Sequence, residues 1–375
     1  MAGSGSLDVM AMWNGTELDG LVLQAGTLTL RPWQPSDAAD VSRLMADERI
    51  SHYLGVPQPY QLSDAIEFIA GPATTGRRDG SRIDCAIARN LDGALLGSIR
   101  LGLAATGGEL GYWVGAPYWR QAVATEAVRT LSRFGFAHGL SRIQITCDQR
   151  NVASAGVALK AGYRYEGIAR AGRLRRGEPV DSAVFGRLPA DDGEPVEPSW
   201  PPVPELSDGV VGLRLVRPED WPTVLAEGSN PEAVAWGFSG QPMSEADARR
   251  RAAGSGLDRL VSRWVELLIY DVATGAGAGV MSLRRGGPPG VVALGYGIVP
   301  EFRGRRFTSR ALRLISDWAL GSIAVRMELG CKQANIASAR SAEAAGFVVD
   351  AHHPSRLRNP DGSYSDEIGY CKVRS

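Results

Sequence analysis

The residues with the means to do chemistry lie where a strand-like run passes into a long helical run. One such stretch reads Glu109-Leu-Gly-Tyr-Trp-Val-Gly-Ala-Pro-Tyr-Trp119-Arg120-Gln121-Ala122-Val123-Ala124-Thr125-Glu126-Ala127. A second reads Leu294-Gly-Tyr-Gly-Ile-Val-Pro-Glu-Phe-Arg303-Gly304-Arg305-Arg306-Phe307-Thr308-Ser309-Arg310-Ala311. A strand, a short loop and a helix start leave backbone N–H groups pointing outward, and the helix dipole favours an anion there. A glycine inside a strand, as at Gly111 and Gly295, marks a bulge or the close approach of a ligand. A plain strand–helix joint with a packing glycine accounts for the same residues, and both readings stay open. The histidines (His52, His138, His352, His353) show no metal-ligand spacing, so no metal centre is expected.

The two stretches belong to a larger repetition. Gly111-Tyr112 returns as Gly295-Tyr296, Asn151 with Ser154 as Asn335 with Ser338, and Ala161-Gly162-Tyr163 as Ala345-Gly346-Phe347, each 184 residues later. Arg31 and Asp37 return as Arg214 and Asp220 at 183, and Asp181 as Asp366 at 185. Unrelated local patterns that keep one offset within a residue mark a tandem duplication of one domain.

At 375 residues the chain has room for two domains, each long enough to bury its own core. Lys+Arg 41 against Asp+Glu 41 leaves no net charge, hence no overall basic field to gather nucleic acid. Lysine occurs only at 160, 332 and 372, a bias that genome composition explains better than phosphate binding. Cys147 and Cys331 are repeat equivalents within apolar strands and read as core thiols of a reducing compartment. Without a membrane-length apolar run or a signal peptide, the expected location is the cytoplasm.

The elements that must position these residues follow from periodicity and turn chemistry. Residues 1–26 read as an N-terminal extension. Strands are expected at Thr27–Trp33, Arg82–Arg89, Ala94–Leu103, Glu109–Val114, Ser141–Cys147, Tyr163–Arg170 and Val180–Leu188. Helices are expected after Pro35-Ser36-Asp37 and over Ser63–Ala70, Gln121–His138 and Val152–Ala161. The domains span 27–188 and 209–375, and 189–208, with six prolines, reads as a semi-rigid linker lacking a core-forming pattern. The fold class is α/β (α+β), used twice.

With these residues in place, the chain resembles the GNAT superfamily of acyl-CoA-dependent N-acyltransferases, in particular the branch that acetylates ribosomal-protein N-termini. The resemblance rests on Gly111-Tyr112-Trp113, Ala124-Thr125-Glu126-Ala127, Asn151 with Ser154, and Gly162-Tyr163. In the second copy it rests on Gly295-Tyr296, Arg303-Gly304-Arg305, Asn335 with Ser338, and Gly346-Phe347. The Arg31-Pro32-Trp33…Asp37 opening and the late Asp181 and Asp366 also look like this branch. It covers all but the first 26 residues and the linker.

The resemblance implies two mixed, mostly antiparallel twisted sheets flanked by helices, each with its fourth and fifth strands splayed. It implies acetyl-CoA or another acyl-CoA as co-substrate. The pyrophosphate would rest on Trp119, Arg120, Gln121, Ala122, Val123, Ala124 and Thr125, or on Arg303, Gly304, Arg305, Arg306, Phe307, Thr308 and Ser309. The thioester would lie beside the backbone of Tyr112, Trp113 and Val114, or of Ile298 and Val299. Asn151 and Asn335 would hold the pantetheine amides, and Ser154 and Ser338 would serve the departing thiolate. Glu109 stands where relatives carry a general base, and its counterpart is Ala293. Attack by the amine would be direct, with no covalent enzyme intermediate.

Departures from the family pattern divide the copies. Ala122 and Arg306 occupy positions where the family loop carries glycine, and Thr308 replaces the small residue that Ala124 keeps. Arg306 either folds outward to pair a phosphate or blocks the second site. Ala158 and Ala342 stand where many relatives place an acidic tyrosine. One catalytic domain beside a degenerate one is expected, the first favoured by Glu109, Ala122 and Ala124. The acceptor is a small-molecule amine or a peptide N-terminus, and the acyl length stays open. Its binding segments are Asp47–Gln61 and Ser229–Met243, where Tyr53, Trp236 and Phe238 form an apolar wall or simply pack. A monomer whose domains pair as an internal pseudo-dimer is expected, with no membrane partner. Two alternatives remain: an aminoacyl-tRNA-dependent transferase of similar tandem fold, and a non-catalytic CoA-binding or scaffold protein.

Overall fold

Alternating apolar residues broken by Gly, Asp and Pro turns build the same sheet twice. The computed structural model describes residues 18–104, 107–237 and 241–374. Two compact units divide between Glu197 and Pro198. In the first, β1 (Leu23–Ala25) and β2 (Leu28–Arg31) lead into α1 (Ala38–Met45), α2 (Glu48–Ser51), α3 (Leu62–Ala70) and α4 (Pro72–Arg78). Then come β3 (Arg82–Arg89), β4 (Leu95–Ala104), β5 (Gly107–Val114), α5 (Val123–Ala137), β6 (Ile143–Asp148), α6 (Val152–Lys160), β7 (Arg164–Arg175) and β8 (Glu178–Arg187). The second unit opens with β9 (Leu206–Ser207), β10 (Val211–Leu215), α7 (Trp221–Ser229), α8 (Pro231–Trp236) and α9 (Glu245–Val261). It continues with β11 (Trp264–Asp271), β12 (Gly277–Arg285), β13 (Val291–Ile298), α10 (Phe307–Ser322), β14 (Arg326–Lys332), α11 (Ile336–Ala344), β15 (Val348–Arg358) and β16 (Tyr364–Val373).

The strand orders are β1-β2-β3-β4-β5-β6-β8-β7 and β9-β10-β11-β12-β13-β14-β16-β15. Neighbours are antiparallel except β5 with β6 and β13 with β14. Those parallel pairs are short. β5 and β6 pair from Gly108↔Ile143 to Leu110↔Ile145, after which Gly111–Val114 stays with β4 and Thr146–Asp148 with β8. β13 and β14 part beyond Leu294↔Leu329 in the same way. Each sheet therefore forks between the fourth and fifth strands of the sequence reading.

One face of each sheet is a dry core. In the first unit Ile83, Ile99, Leu101 and Leu110 are fully buried on the face that α5 covers with Val128 and Leu131. In the second, Val265, Leu283 and Leu294 meet Leu312 and Ile315 of α10. The opposite face of the first sheet carries a smaller cluster from α1, α3 and α4, centred on Trp33, Val41, Met45 and Ile69.

Several repeated residues hold backbone in place. Arg31 donates to both oxygens of Asp37 at 2.7 and 2.8 Å, while Asp37 also accepts the Gln34 N–H. Arg214, Asp220 and Arg217 reproduce the arrangement. Asp181 accepts the N–H of Ala171, and Asp366 that of Ser355, where β7 and β15 bulge through a residue with φ of 50°. A short side-chain acceptor is what such a left-handed step needs.

The structure adds elements without a readable period. The one-turn α2, the glycine- and proline-containing α4, and β1 within the expected extension carry too few apolar positions to register. The proline-rich stretch contributes Trp200, which is fully buried in the second core. Its indole donates to the Ser262 carbonyl at 3.1 Å and lies under the Arg285 guanidinium at 4.4 Å. Of the expected apolar wall, Phe238 lies outside the described residues and Trp236 is 41% exposed. Among the described residues no helix is long and apolar enough to cross a membrane.

Candidate functional site

The helix that follows each fork begins in an unusual backbone conformation. Ala122, the residue before α5, has φ 60° and ψ 5°, and Arg120 has φ 62°. In the second copy Arg306 has φ 62° and Gly304 φ 72°. The left-handed region costs an L-residue about 1–2 kcal/mol and glycine nothing comparable. Hence the family's glycine preference at 122 and 306, and hence strain at three of these four positions. The first intrahelical bonds run from Glu126 N–H to the Ala122 carbonyl and from Arg310 N–H to the Arg306 carbonyl. The amides of Val123, Ala124 and Thr125, and of Phe307, Thr308 and Ser309, precede them and, as at any helix start, have no intrahelical acceptor.

The side chains around those amides differ in role. Val123 and Phe307 are buried in the cores, so only their backbone can face a ligand. Trp119 donates its indole N–H to the Val114 carbonyl at 2.7 Å and lies 4.9 Å under Arg49, tying the loop back to β5. Gln121 donates to the Pro117 carbonyl, also within the loop. Arg303 instead pairs with Glu232 and Asn230, and Arg305 lies over Phe302 and Phe307 with Asp271 at 3.5 Å. Ser309 returns its hydroxyl to the Arg306 carbonyl, and the Arg306 side chain is exposed.

Within each fork a tyrosine, a serine and an asparagine meet. Asn151 caps α6 by accepting the Ser154 N–H, and the Ser154 hydroxyl lies 3.0 Å from the Tyr112 phenol. Asn335, Ser338 and Tyr296 repeat this, with 2.8 Å between the hydroxyls. Burial pushes the Tyr112 phenol well above its ordinary range and the Tyr296 phenol up to about 12, so both stay protonated donors. Gly97 and Gly279 let neighbouring backbone approach at this level: a Cβ would collide with the carbonyl of Trp113 or of Gly297. Val299, beyond β13, is buried and bonded to the Ala278 carbonyl.

Beside the first fork lies a cavity of about 480 Å³. Tyr112, Trp113, Asn151 and Ser154 form its wall towards the fork, and Tyr53, Tyr60, Phe68 and Met45 an apolar wall. Asp84, 2% exposed, faces it from β3. Its Oδ2 lies 2.6 Å from Arg82 Nε, yet neither atom has a partner at hydrogen-bond angles. Burial raises the Asp84 pKa against the opposing pull of Arg82 and Arg100. Glu109 is not part of the cavity wall; it accepts a hydrogen bond from the Thr146 hydroxyl at 2.6 Å. A carboxylate on β3 was invisible in the sequence because it reaches the fork by strand register, Asp84↔Arg100↔Gly111, across residues distant in the chain.

The second fork keeps a carboxylate at the same strand position. Glu266 on β11 is 3% exposed and takes 2.7 Å bonds from Arg251 of α9. Where Trp113 fills the first fork, the second has Gly297, and the Glu227 carboxylate of α7 occupies the space of its missing side chain. Burial raises the Glu227 pKa, with Glu266 adding and Arg251 opposing. Lys332 stands in place of Asp148 and donates to the Ala235 carbonyl at 2.6 Å. Among the described residues no group of three or more His, Cys, Asp or Glu is arranged to hold a metal ion.

The acetyltransferase (GNAT) domain family matches residues 27–164 and again residues 211–348. The chain belongs to the GNAT acetyltransferase family. Its two domains account for the forks, the helix starts and the 184-residue repetition together. One GNAT domain is 28% identical over 168 residues to the uncharacterized N-acetyltransferase YoaA of Bacillus subtilis (strain 168), 44% of this chain and 94% of that protein. Among solved structures, Mycobacterium smegmatis RimJ in complex with CoA-disulfide is 22% identical, covering 45% of this chain and 86% of its own, TM-score 0.41. The ribosomal-protein-S5-alanine acetyltransferase of Vibrio fischeri is 17% identical, covering 47% and 100%, TM-score 0.40.

Proposed function

We propose that the first domain transfers an acetyl or related acyl group from acyl-CoA to a primary amine by direct attack, and that the second domain has lost this activity. The observation that carries the reading is the open cavity at the first fork, with the Tyr112–Ser154 pair on one wall and the buried Asp84 on another. Acyl-CoA, when bound, supplies the activated thioester. The left-handed helix start, through the amides of Val123–Thr125, suits its pyrophosphate, and Trp119, Arg120 and Gln121 flank that site. The backbone of Tyr112–Val114 would orient the acyl carbonyl, and the side-chain amide of Asn151 would hold the pantetheine arm.

As the amine nitrogen bonds to the acyl carbon, the carbon–sulfur bond breaks. Asp84 takes the amine proton, because a carboxyl whose pKa is raised by burial is a stronger base than an ordinary one. Ser154, backed by the protonated Tyr112, donates to the departing sulfur. Glu109 is set aside as base, being engaged with Thr146 and not itself lining the cavity. In the second domain Ser338 and Asn335 remain, but the Glu227 carboxylate stands against the β13 backbone where an acyl carbonyl would need a donor.

Isothermal titration of acetyl-CoA into the wild type, Ala122→Trp and Arg306→Gly tests this, with circular dichroism confirming the fold. One site in the wild type, lost in Ala122→Trp and kept in Arg306→Gly, is expected. A second site gained in Arg306→Gly would mean that Arg306 seals the second domain. Binding that survives Ala122→Trp moves the chemistry to the second domain, and no heat in any variant removes the CoA reading.

A further inference from the structure

We infer that the first domain's acceptor is a small amphipathic amine that also carries an anionic oxygen group, a carboxylate or a phosphate, recognised by Arg100 and Arg173. The inference rests on the transferase reading of the same cavity and adds the class of its acceptor. Three arginines and two aspartates line the cavity: Arg82, Arg100, Arg173, Asp84 and Asp148. Both aspartates already have an arginine beside them. Asp84 faces Arg82, and Asp148 takes bonds from Arg150 at 2.8 and 3.0 Å and from Arg175 at 3.2 Å.

Among the described residues Arg100 and Arg173 are hydrogen-bonded to no carboxylate, although Arg100 pulls on its cross-strand neighbour Asp84 at longer range. Arg173 gives one nitrogen to the Thr146 carbonyl at 2.6 Å and to its hydroxyl at 3.2 Å, both neutral acceptors. Arg100 makes no hydrogen bond or ion pair to the described residues. Its stem crosses Gly111, where a Cβ would come within 2.9 Å of Nε. That places the guanidinium at the first residue of β5 beyond its pairing with β6, the mouth of the fork. Two guanidinium groups that hold no hydrogen-bonded carboxylate among the described residues, beside an apolar wall, favour an anion, and a planar fork of N–H donors fits a carboxylate or phosphate oxygen pair.

The apolar wall of Met45, Phe68, Tyr60 and Tyr53 gives the acceptor's body a place away from the charges, and Asp84 gives its nitrogen one. The second domain lacks this recognition: Ser282 stands at the register position of Arg100, opposite Gly295.

The test compares matched amines on the full chain: phenylalanine against phenylalaninamide, and phosphoethanolamine against ethanolamine. Binding is read by calorimetry with CoA present, and turnover by thiol release from acetyl-CoA. At least tenfold tighter binding of an anionic member over its neutral twin is expected, and Arg100→Ser should cut that ratio at least tenfold. The phenylalanine pair reports carboxylate recognition and the ethanolamine pair phosphate recognition. Equal binding of both twins, a preference for the neutral one, a ratio unmoved by Arg100→Ser, or no binding of any amine overturns the inference. Discrimination in binding without turnover would sink the transferase reading alone; turnover without discrimination would sink the inference alone.

Discussion

Where β5 leaves β6, Trp113 packs against the helical cluster of the first domain and a cavity opens beside it; where β13 leaves β14, Gly297 gives its space to Glu227. Around this one exchange the linings of the forks diverge: Arg100 against Ser282, Thr146 against Gly330, Asp148 against Lys332. The contacts that shape backbone do not diverge in the same way. The Arg–Asp clamp, the asparagine cap, the tyrosine–serine contact and the left-handed helix start recur at matching distances. The duplication has kept the parts that shape backbone and rewritten the side chains an acceptor would touch. Backbone hydrogen bonds depend on register, whereas recognition depends on a few exchangeable groups.

The sharpest way to break this comparison is to remove the two buried strand carboxylates in turn. Asp84→Asn should lower kcat/KM by about 10²–10³-fold, the scale of a lost general base, while Glu266→Gln leaves turnover within about twofold. Steady-state thiol release measures both, and the reverse ranking would hand the chemistry to the second domain. Next come the clamps. Asp37→Ala and Asp220→Ala each strand a partly buried arginine and should each cost about 3 kcal/mol in urea unfolding. A marked inequality would show that the shared scaffold is not equally stressed.

A smaller effect separates the forks by pH. The folded second domain holds the Glu227 proton more tightly than the unfolded chain does. Wild-type stability from this group is therefore lost as pH rises from about 4, the ordinary glutamate range, through the raised folded value. Glu227→Gln should raise the urea midpoint at pH 8 and have little effect at pH 4; a gain equal at both would mean that the carboxyl is not strained. The smallest change is at the helix starts. Ala122→Gly and Arg306→Gly should each stabilise by up to about 1 kcal/mol, relief of the left-handed strain being partly offset by glycine's freedom in the unfolded chain.

The repetition and the order of strands and helices were legible because periodicity and a constant offset are properties of the chain itself, whereas the forked sheet was expected from the family resemblance alone. The departures at 122 and 306 stood out against the family's glycine pattern, and the positive φ at both positions supplies its cause. Asp84, Glu227 and Glu266 were not, because each acquires meaning only from strands and helices that meet across long sequence gaps. Glu109 drew attention by its place before Gly111-Tyr112, yet along the strand it turns to Thr146. Trp200 escaped for the opposite reason: a lone aromatic among prolines has no period to reveal it.

The short strands β1 and β9 bear on the history of the chain. Leu23-Gln24-Ala25-Gly26 and Leu206-Ser207-Asp208-Gly209 stand 183 residues apart, each adding a strand to the same sheet edge. Gly26 and Gly209 turn the two hairpins with φ of 61° and 85°. The ancestral segment that was copied therefore began upstream of its first long strand and carried its own edge with it. The inner ends of what reads as extension and spacer, Leu23–Ala25 and Leu206–Ser207, thus belong to the two sheets.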